Sequence, residues 1–143
     1  MAELISDGIS TFKTIIEEKS GTIQSDISDK NLEVKLDKIH MYNVLSNLID
    51  NAIKYCEVDP EIKIAVREKG NNIEIRVEDN GIGMKSTDVK YIFDKFYRVP
   101  TGNLHNVKGF GLGLYYAQVI MEAHKGSISI NKNEDTGSVF ILK

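Results

Sequence analysis

Two runs of strict alternation constrain this chain more than anything else in it. Ile62, Ile64 and Val66 alternate with Lys63, Ala65 and Arg67; Ile73, Ile75 and Val77 alternate with Glu74, Arg76 and Glu78; Gly70-Asn71-Asn72 stands between them. A period of two turns one strand face to a core and the other to water, and a short Gly/Asn turn between two such runs marks an antiparallel hairpin. Its apolar face needs a cover. Segments at helical spacing supply one: residues 3–20 with Ile5, Ile9, Phe12, Ile15 and Ile16, stopped by Gly21; a helix capped at or just after Asp37 and running to about Tyr55; and Leu112 to Lys125, ended by Gly126 with His124 and Lys125 in the last turn. Residues 86–93 predict a further short helix and 97–108 a loop, while Pro60 breaks the pattern before the hairpin. Ile23 and Ile27 suit a strand, Leu32, Val34 and Leu36 alternate as a half-buried strand, and Ser127–Asn131 and Ser138–Lys143 read as two more. The order predicts an α+β two-layer sandwich, about three helices on one face of a mixed sheet of about five strands.

The 143 residues suit one domain, and no repeat, low-complexity tract or linker divides them. With 18 basic and 21 acidic residues and a net charge of -3, the chain has no general attraction to nucleic acid or an anionic membrane, although a local basic site stays open. The single cysteine, Cys56, excludes an internal disulfide and suits a reducing compartment. No apolar run approaches the ~18 residues of a membrane span, and the first residues lack the basic and apolar regions of a signal peptide. The chain starts inside a helical pattern and stops inside a strand, so the expectation is a cytoplasmic domain cut from a longer parent, whether or not that parent is membrane-anchored.

Three places carry chemistry. In MYNVLSNLIDNAIKYC, Val44, Leu45, Leu48, Ile49, Ala52 and Ile53 fill one side of a helix, and Asn43, Asn47, Asp50, Asn51 and Lys54 gather on the other, with Tyr55 near the seam. A core helix with a solvated face would look the same. Asparagine is a poor interior helix former, however, and Asn47, Asn51 and Lys54 on adjacent turns aim two neutral oxygens and a cation at one point. A hard cation bridging phosphates takes oxygen ligands and needs few from protein. The second place, Asp79-Asn80-Gly81-Ile82-Gly83, ends a strand. It is a plain turn signal, yet a carboxylate there is an acceptor that can read the exocyclic amine of adenine. The third, Lys108-Gly109-Phe110-Gly111-Leu112-Gly113-Leu114, feeds a helix whose free N–H groups and dipole favour an anion. No Gly-Lys-Ser/Thr follows, so it is not a P-loop, and the polar loop before it does not suit a Rossmann turn.

Together and in this order, the segments resemble the catalytic ATP-binding domain of sensor histidine kinases, of the GHKL ATPase superfamily with its Bergerat-type fold. NVLSNLIDNAIKYC is similar to that family's N box, VEDNGIGM to its G1 box, IFDKFYRV to its F box and GFGLGL to its G2 box. The resemblance covers nearly the whole chain, and DKFYRV separates this family from other ATPases of the superfamily. It implies ATP and Mg²⁺ as ligands. Asn51 takes the place of the magnesium-binding asparagine, Lys54 of the lysine near the phosphates and Tyr55 of the aromatic beside adenine. Asp79 takes the place of the aspartate that reads the adenine amine, with Gly81, Gly83 and Met84 beside it. Arg98 corresponds to an arginine at the lid entry that can approach the phosphates, and Gly109, Gly111 and Gly113, with Leu112 and Leu114, to the glycine run below the triphosphate. Lys108 is a further phosphate-neutralising candidate. Residues 97–108 correspond to the mobile ATP lid, with Phe93 and Phe96 anchoring its hydrophobic base.

The same resemblance implies transfer of the γ-phosphoryl group to a histidine on a separate dimerisation domain, and indirectly to a response regulator. His40, His105 and His124 have no acceptor-motif context, so no phosphoacceptor is expected in this chain; Asn47, Lys54 and Arg98 are supporting groups. Hydrolytic relatives and the serine-directed kinases carry a glutamate where Asn47 stands, and an amide is no base for water. Phosphotransfer is therefore the expected reaction. A degenerate nucleotide-binding module without chemistry, and a hydrolytic or serine-directed relative, are the alternatives. No nucleic acid and no direct membrane contact are expected.

Overall fold

The computed structural model describes residues 1–29, 32–99, 109–132 and 137–143. Its elements are α1 (Ala2–Glu18), β1 (Thr22–Ile27), α2 (Lys38–Lys54), β2 (Glu61–Lys69), β3 (Asn72–Asp79), α3 (Gly113–Ala123), β4 (Ile128–Lys132) and β5 (Ser138–Leu142). The sheet has five strands in the order β1-β2-β3-β5-β4. β1 runs parallel to β2 and every other pair is antiparallel, so the sheet is mixed, as the patterning requires.

The hairpin forms as its alternation dictates. Ile62, Ile64 and Val66 of β2 and Ile75 and Val77 of β3 are buried on the inner face, with Ile64 opposite Val77 and Val66 opposite Ile75. The buried side of α2 (Val44, Leu45, Leu48, Ile49, Ala52 and Ile53) joins them in one cluster with Leu4, Ile5 and Ile16 of α1 and Ala117, Ile120 and Met121 of α3. Each large aliphatic side chain buried there contributes about 1.5–3 kcal/mol. α2 begins where Asp37 caps it, accepting a hydrogen bond from the His40 N–H at 3.0 Å. His124 ties the far end of α3 to that same cap: its Nε2 accepts from the Asp37 N–H at 2.9 Å while its Nδ1 lies 2.8 Å from the Ile120 carbonyl. With both ring nitrogens engaged, His124 pins the end of α3 to the start of α2.

Several local expectations are corrected. Residues 32–36 pair with no strand among the described residues: Leu32 and Leu36 are half-buried against the core, but Val34 is exposed. The alternation there reflects contact with the core without a neighbouring edge to bond to. Residues 86–93 form successive turns rather than a helix; Tyr91 N–H bonds Asp88 O and Asp94 N–H bonds Tyr91 O, three-residue steps that never settle into a helical ladder. α3 stops at Ala123, so His124 and Lys125 lie beyond it. Ser20 and Lys125, not the glycines after them, take the positive φ that turns the chain after α1 and α3. Ile15 is exposed, because the core-facing stripe of α1 runs through Leu4, Ile5, Gly8 and Ile16.

Candidate functional site

The polar face of α2, the loop after β3 and the start of α3 converge on one cleft of about 280 Å³. α2 contributes Asn47, Asp50, Asn51 and Lys54, with Tyr55 just past its end. They fall on adjacent turns because the opposite side of the same helix is committed to the core.

Asp79 ends β3 and is 8% exposed. Its Oδ1 accepts from the Gly81 N–H at 2.9 Å and the Ser138 N–H at 3.2 Å. Burial pushes the carboxyl above the ordinary carboxylate range, against the opposing pull of those two N–H groups. A carboxylate has more lone pairs than two donors use, so the group keeps acceptor capacity for a donor in the cleft. The loop holding it is bolted to the end of α2. The Ile82 N–H bonds the Tyr55 carbonyl at 2.9 Å, and Asn80 accepts from the Glu61 N–H at 2.8 Å and donates to the Asp59 carbonyl at 3.0 Å. Gly81 is required by close approach: a Cβ there would stand 2.6 Å from the Tyr55 carbonyl oxygen and 2.9 Å from Asp79 Oδ1.

At the other wall, Gly109, Gly111, Leu112, Gly113 and Leu114 line the cleft, and Gly113 opens α3 over Asn47. α3 has no side-chain cap at Leu112 and no acidic residue in its first turn, so its leading N–H groups and dipole are left for an anionic ligand. Gly111 adopts φ +68°, and a Cβ on it would meet the Tyr97 carbonyl oxygen at 2.7 Å. Its carbonyl receives the Phe96 N–H at 3.0 Å, which locks the glycine run to the segment carrying Tyr97, Arg98 and Val99. Tyr97 is tied in turn to Asp88 by its hydroxyl at 2.9 Å.

Of the residues singled out from sequence, the cleft gathers Asn47, Asn51, Lys54, Tyr55, Asp79, Gly83, Met84, Arg98, Gly109, Gly111, Leu112, Gly113 and Leu114. Gly81 supports it from behind through Asp79. Lys108, His105 and all of the 97–108 lid beyond Val99 lie outside the described residues. Phe93 is half-buried against the core, but Phe96 is 66% exposed at φ +66° and lies outside the core cluster of the described residues; its N–H bonds the Gly111 carbonyl. Sequence reasoning assigned no role to Asp50, although the residue belongs to the same polar stripe. It missed Ser138 and Phe140 altogether: they reach the cleft through the register of β5, which sets Ser138 opposite Asp79 and Phe140 opposite Val77. Cys56 is held by Asn80 and the Val58 carbonyl, and burial raises its thiol above the ordinary range, which suits structure and not nucleophilic chemistry.

Among the described residues no three His, Cys, Asp or Glu side chains come together as a metal cage. The amide oxygen of Asn51 is a hard donor that fits a cation completing its shell with phosphate oxygens and water, and the Asp50 carboxylate, paired with Lys54, stands beside it as an outer acceptor. No helix is long and apolar enough to cross a membrane among the described residues.

Residues 36–143 match the family model described as histidine kinase-, DNA gyrase B-, and HSP90-like ATPase. The sensor protein RprX of Bacteroides fragilis is 43% identical over 142 residues, which is 98% of this chain and 27% of RprX. The sensor protein kinase WalK of Staphylococcus aureus is 39% identical over 126 residues, 86% of this chain and 30% of WalK. The nucleotide-free catalytic domain of histidine kinase ThkA is similar in structure, with a TM-score of 0.87 at 26% identity over 99% of this chain and 90% of that domain. The chain thus spans about a quarter of the length of RprX.

Proposed function

The chain belongs to the histidine kinase-, DNA gyrase B-, and HSP90-like ATPase family, and from that membership we propose that its cleft binds Mg-ATP and donates the γ-phosphoryl group to a histidine on a separate helical dimerisation domain. The observation that carries the reading is Asp79: a buried carboxylate, fixed by two backbone N–H groups, on the same cleft as the Asn47–Asn51–Lys54 stripe and the uncapped start of α3. An acceptor at one end and a concentration of donors at the other match a ligand with an amine at one end and an anion at the other.

In this reading Asp79 accepts from the adenine amine, Tyr55 and Met84 flank the base, and the N–H groups from Gly109 to Gly113 hold the phosphates, with Lys54, Arg98 and Lys108 as cations. Asn51 would hold magnesium, which would supply charge neutralisation on the transferring group. The chain's own work is positioning and charge balance. The acceptor imidazole nitrogen forms a bond to phosphorus as the bond to the ADP oxygen breaks, and ADP leaves with the electron pair. A neutral imidazole attacks without first losing a proton. Water would need a base, and Asn47 stands where hydrolytic relatives carry glutamate, so transfer is favoured over hydrolysis. Residues 97–108 serve as the ATP lid of a single domain. RprX and WalK are named sensor proteins, which supports a two-component pathway in which a response regulator receives the phosphoryl group next.

The test is γ-labelled ATP with magnesium, given to the chain alone and with the acceptor-histidine domain of the full-length kinase. The chain alone stays unlabelled and hydrolyses ATP near background; with the partner, an acid-labile, base-stable label appears on the partner. Rapid phosphate release by the chain alone, or acid-stable self-labelling, overturns the proposal in favour of a hydrolytic or serine-directed relative.

A further inference from the structure

Asp50 lies on the cleft face of α2, beside Asn51, with Asn47 one turn before it and Lys54 one turn after. Its Oδ2 is 2.5 Å from Lys54 Nζ, and the two side chains are 40% and 37% exposed. Lys54, a cation lining the cleft, is thus bound to a carboxylate of the same helix. A carboxylate at that place has two consequences. It competes with phosphate for the lysine, and its own charge repels a polyphosphate entering the cleft. A unit charge within several ångströms of another changes an affinity on the order of tenfold at the effective dielectric of a protein surface. A hard divalent cation reverses the sign of both, because a carboxylate is then an attractive outer partner for the metal and its water.

Resting on the nucleotide reading above, we propose that Asp50 is a positioning residue that makes nucleotide binding conditional on the divalent cation: it holds Lys54 in the absence of ligand, releases it to the phosphates of the metal complex, and turns away metal-free nucleotide. The pair sits on a rigid scaffold, since Leu48, Ile49, Ala52 and Ile53 on the opposite side of the same two turns are buried in the core. Only side-chain rotation is needed to exchange partners, and an i,i+4 pair exposed to this degree is weak enough to be exchanged.

The experiment is a calorimetric titration of the chain with ATP, in magnesium and in chelator, for the unmodified protein, Asp50→Asn and Asp50→Glu. In the unmodified protein magnesium strengthens binding. In Asp50→Asn metal-free ATP binds about fivefold to tenfold tighter while Mg-ATP binds no tighter than before, so the magnesium effect shrinks by about that factor. Asp50→Glu keeps the charge one methylene further out and restores most of the magnesium effect, which a purely structural role would not predict. Equal changes with and without magnesium, no change in either, or Asp50→Glu behaving as Asp50→Asn each overturn the assignment. If Asp50→Asn does not fold, Asp50→Ser removes the same charge: metal-free ATP must tighten by a larger factor than Mg-ATP, and equal changes overturn it. Unmodified protein that binds neither form removes the nucleotide reading and this inference together, whereas normal binding with an unaltered magnesium effect in Asp50→Asn removes this inference alone.

Discussion

The two faces of α2 answer to opposite demands. One holds Val44, Leu45, Leu48 and Ile49, each no more than 1% exposed, against the sheet and the other helices. The other holds Asn47, Asp50, Asn51 and Lys54 in an open cleft, where asparagine and aspartate weaken the helix they sit in. Separation by half a turn lets one element stabilise the fold and carry the site. The stability supplied by the apolar face is what makes the unfavourable residues tolerable on the polar one. Substitutions on the two faces should therefore have separable effects, large in stability on one side and large in binding on the other.

The largest expected effect lies on the buried face. Leu48→Ala should cost about 3 kcal/mol through lost burial and a residual cavity, lowering the melting temperature by about 6–12 °C, while the folded fraction binds Mg-ATP with its original affinity. Calorimetric melting followed by titration below the transition checks both halves; a loss of affinity in the folded fraction would show that the faces are coupled.

Asp79→Asn comes next and acts in the opposite sense. The asparagine oxygen can accept from Gly81 and Ser138 as Asp79 Oδ1 does, but an amide N–H now meets the adenine amine, and affinity should fall about 100-fold, or about 2.7 kcal/mol. Stability moves the other way. The folded-state carboxyl is raised by burial, so its ionisation is disfavoured in the fold. That penalty is absent below the unfolded value near ~4 and grows as pH rises through the folded one. Asp79→Asn should melt higher than the unmodified chain at pH 7 and not at pH 3. A lower melting temperature at pH 7 would mean the charge, not just the oxygen, holds the loop.

The smallest of the three is Asn51→Ala. It should weaken Mg-ATP about tenfold and metal-free ATP little, with an unchanged or slightly raised melting temperature because alanine is the better helix former. Equal weakening with and without magnesium would take the metal away from Asn51.

Most of α2 was legible in sequence because a 3.6-residue period separates its faces, and the hairpin because a period of two and a Gly/Asn turn agree. Residues 32–36 misled because alternation reports burial and says nothing about whether a strand edge is available. Residues 86–93 misled because helical spacing over so short a stretch fits successive turns equally well. The cleft was legible where motif residues are local, as in Asp79 to Gly83 and Gly109 to Leu114. Ser138 and Phe140 were not, because only the pairing of β3 with β5 sets them opposite Asp79 and Val77, with Ser138 coming from 59 residues further along the chain than Asp79. Phe96 was misplaced because nothing in its sequence context signals a positive φ for a bulky side chain.

The central claim, that this cleft is an adenine nucleotide site, is tested most directly by melting the unmodified chain with Mg-ATP and with Mg-GTP. At about 100 times its dissociation constant Mg-ATP should add about 2.7 kcal/mol and raise the melting temperature by about 5–10 °C, while Mg-GTP at the same concentration, with a carbonyl where adenine has its amine, leaves it nearly unchanged. A melting curve that millimolar Mg-ATP does not move, or one that Mg-GTP moves equally, contradicts the account.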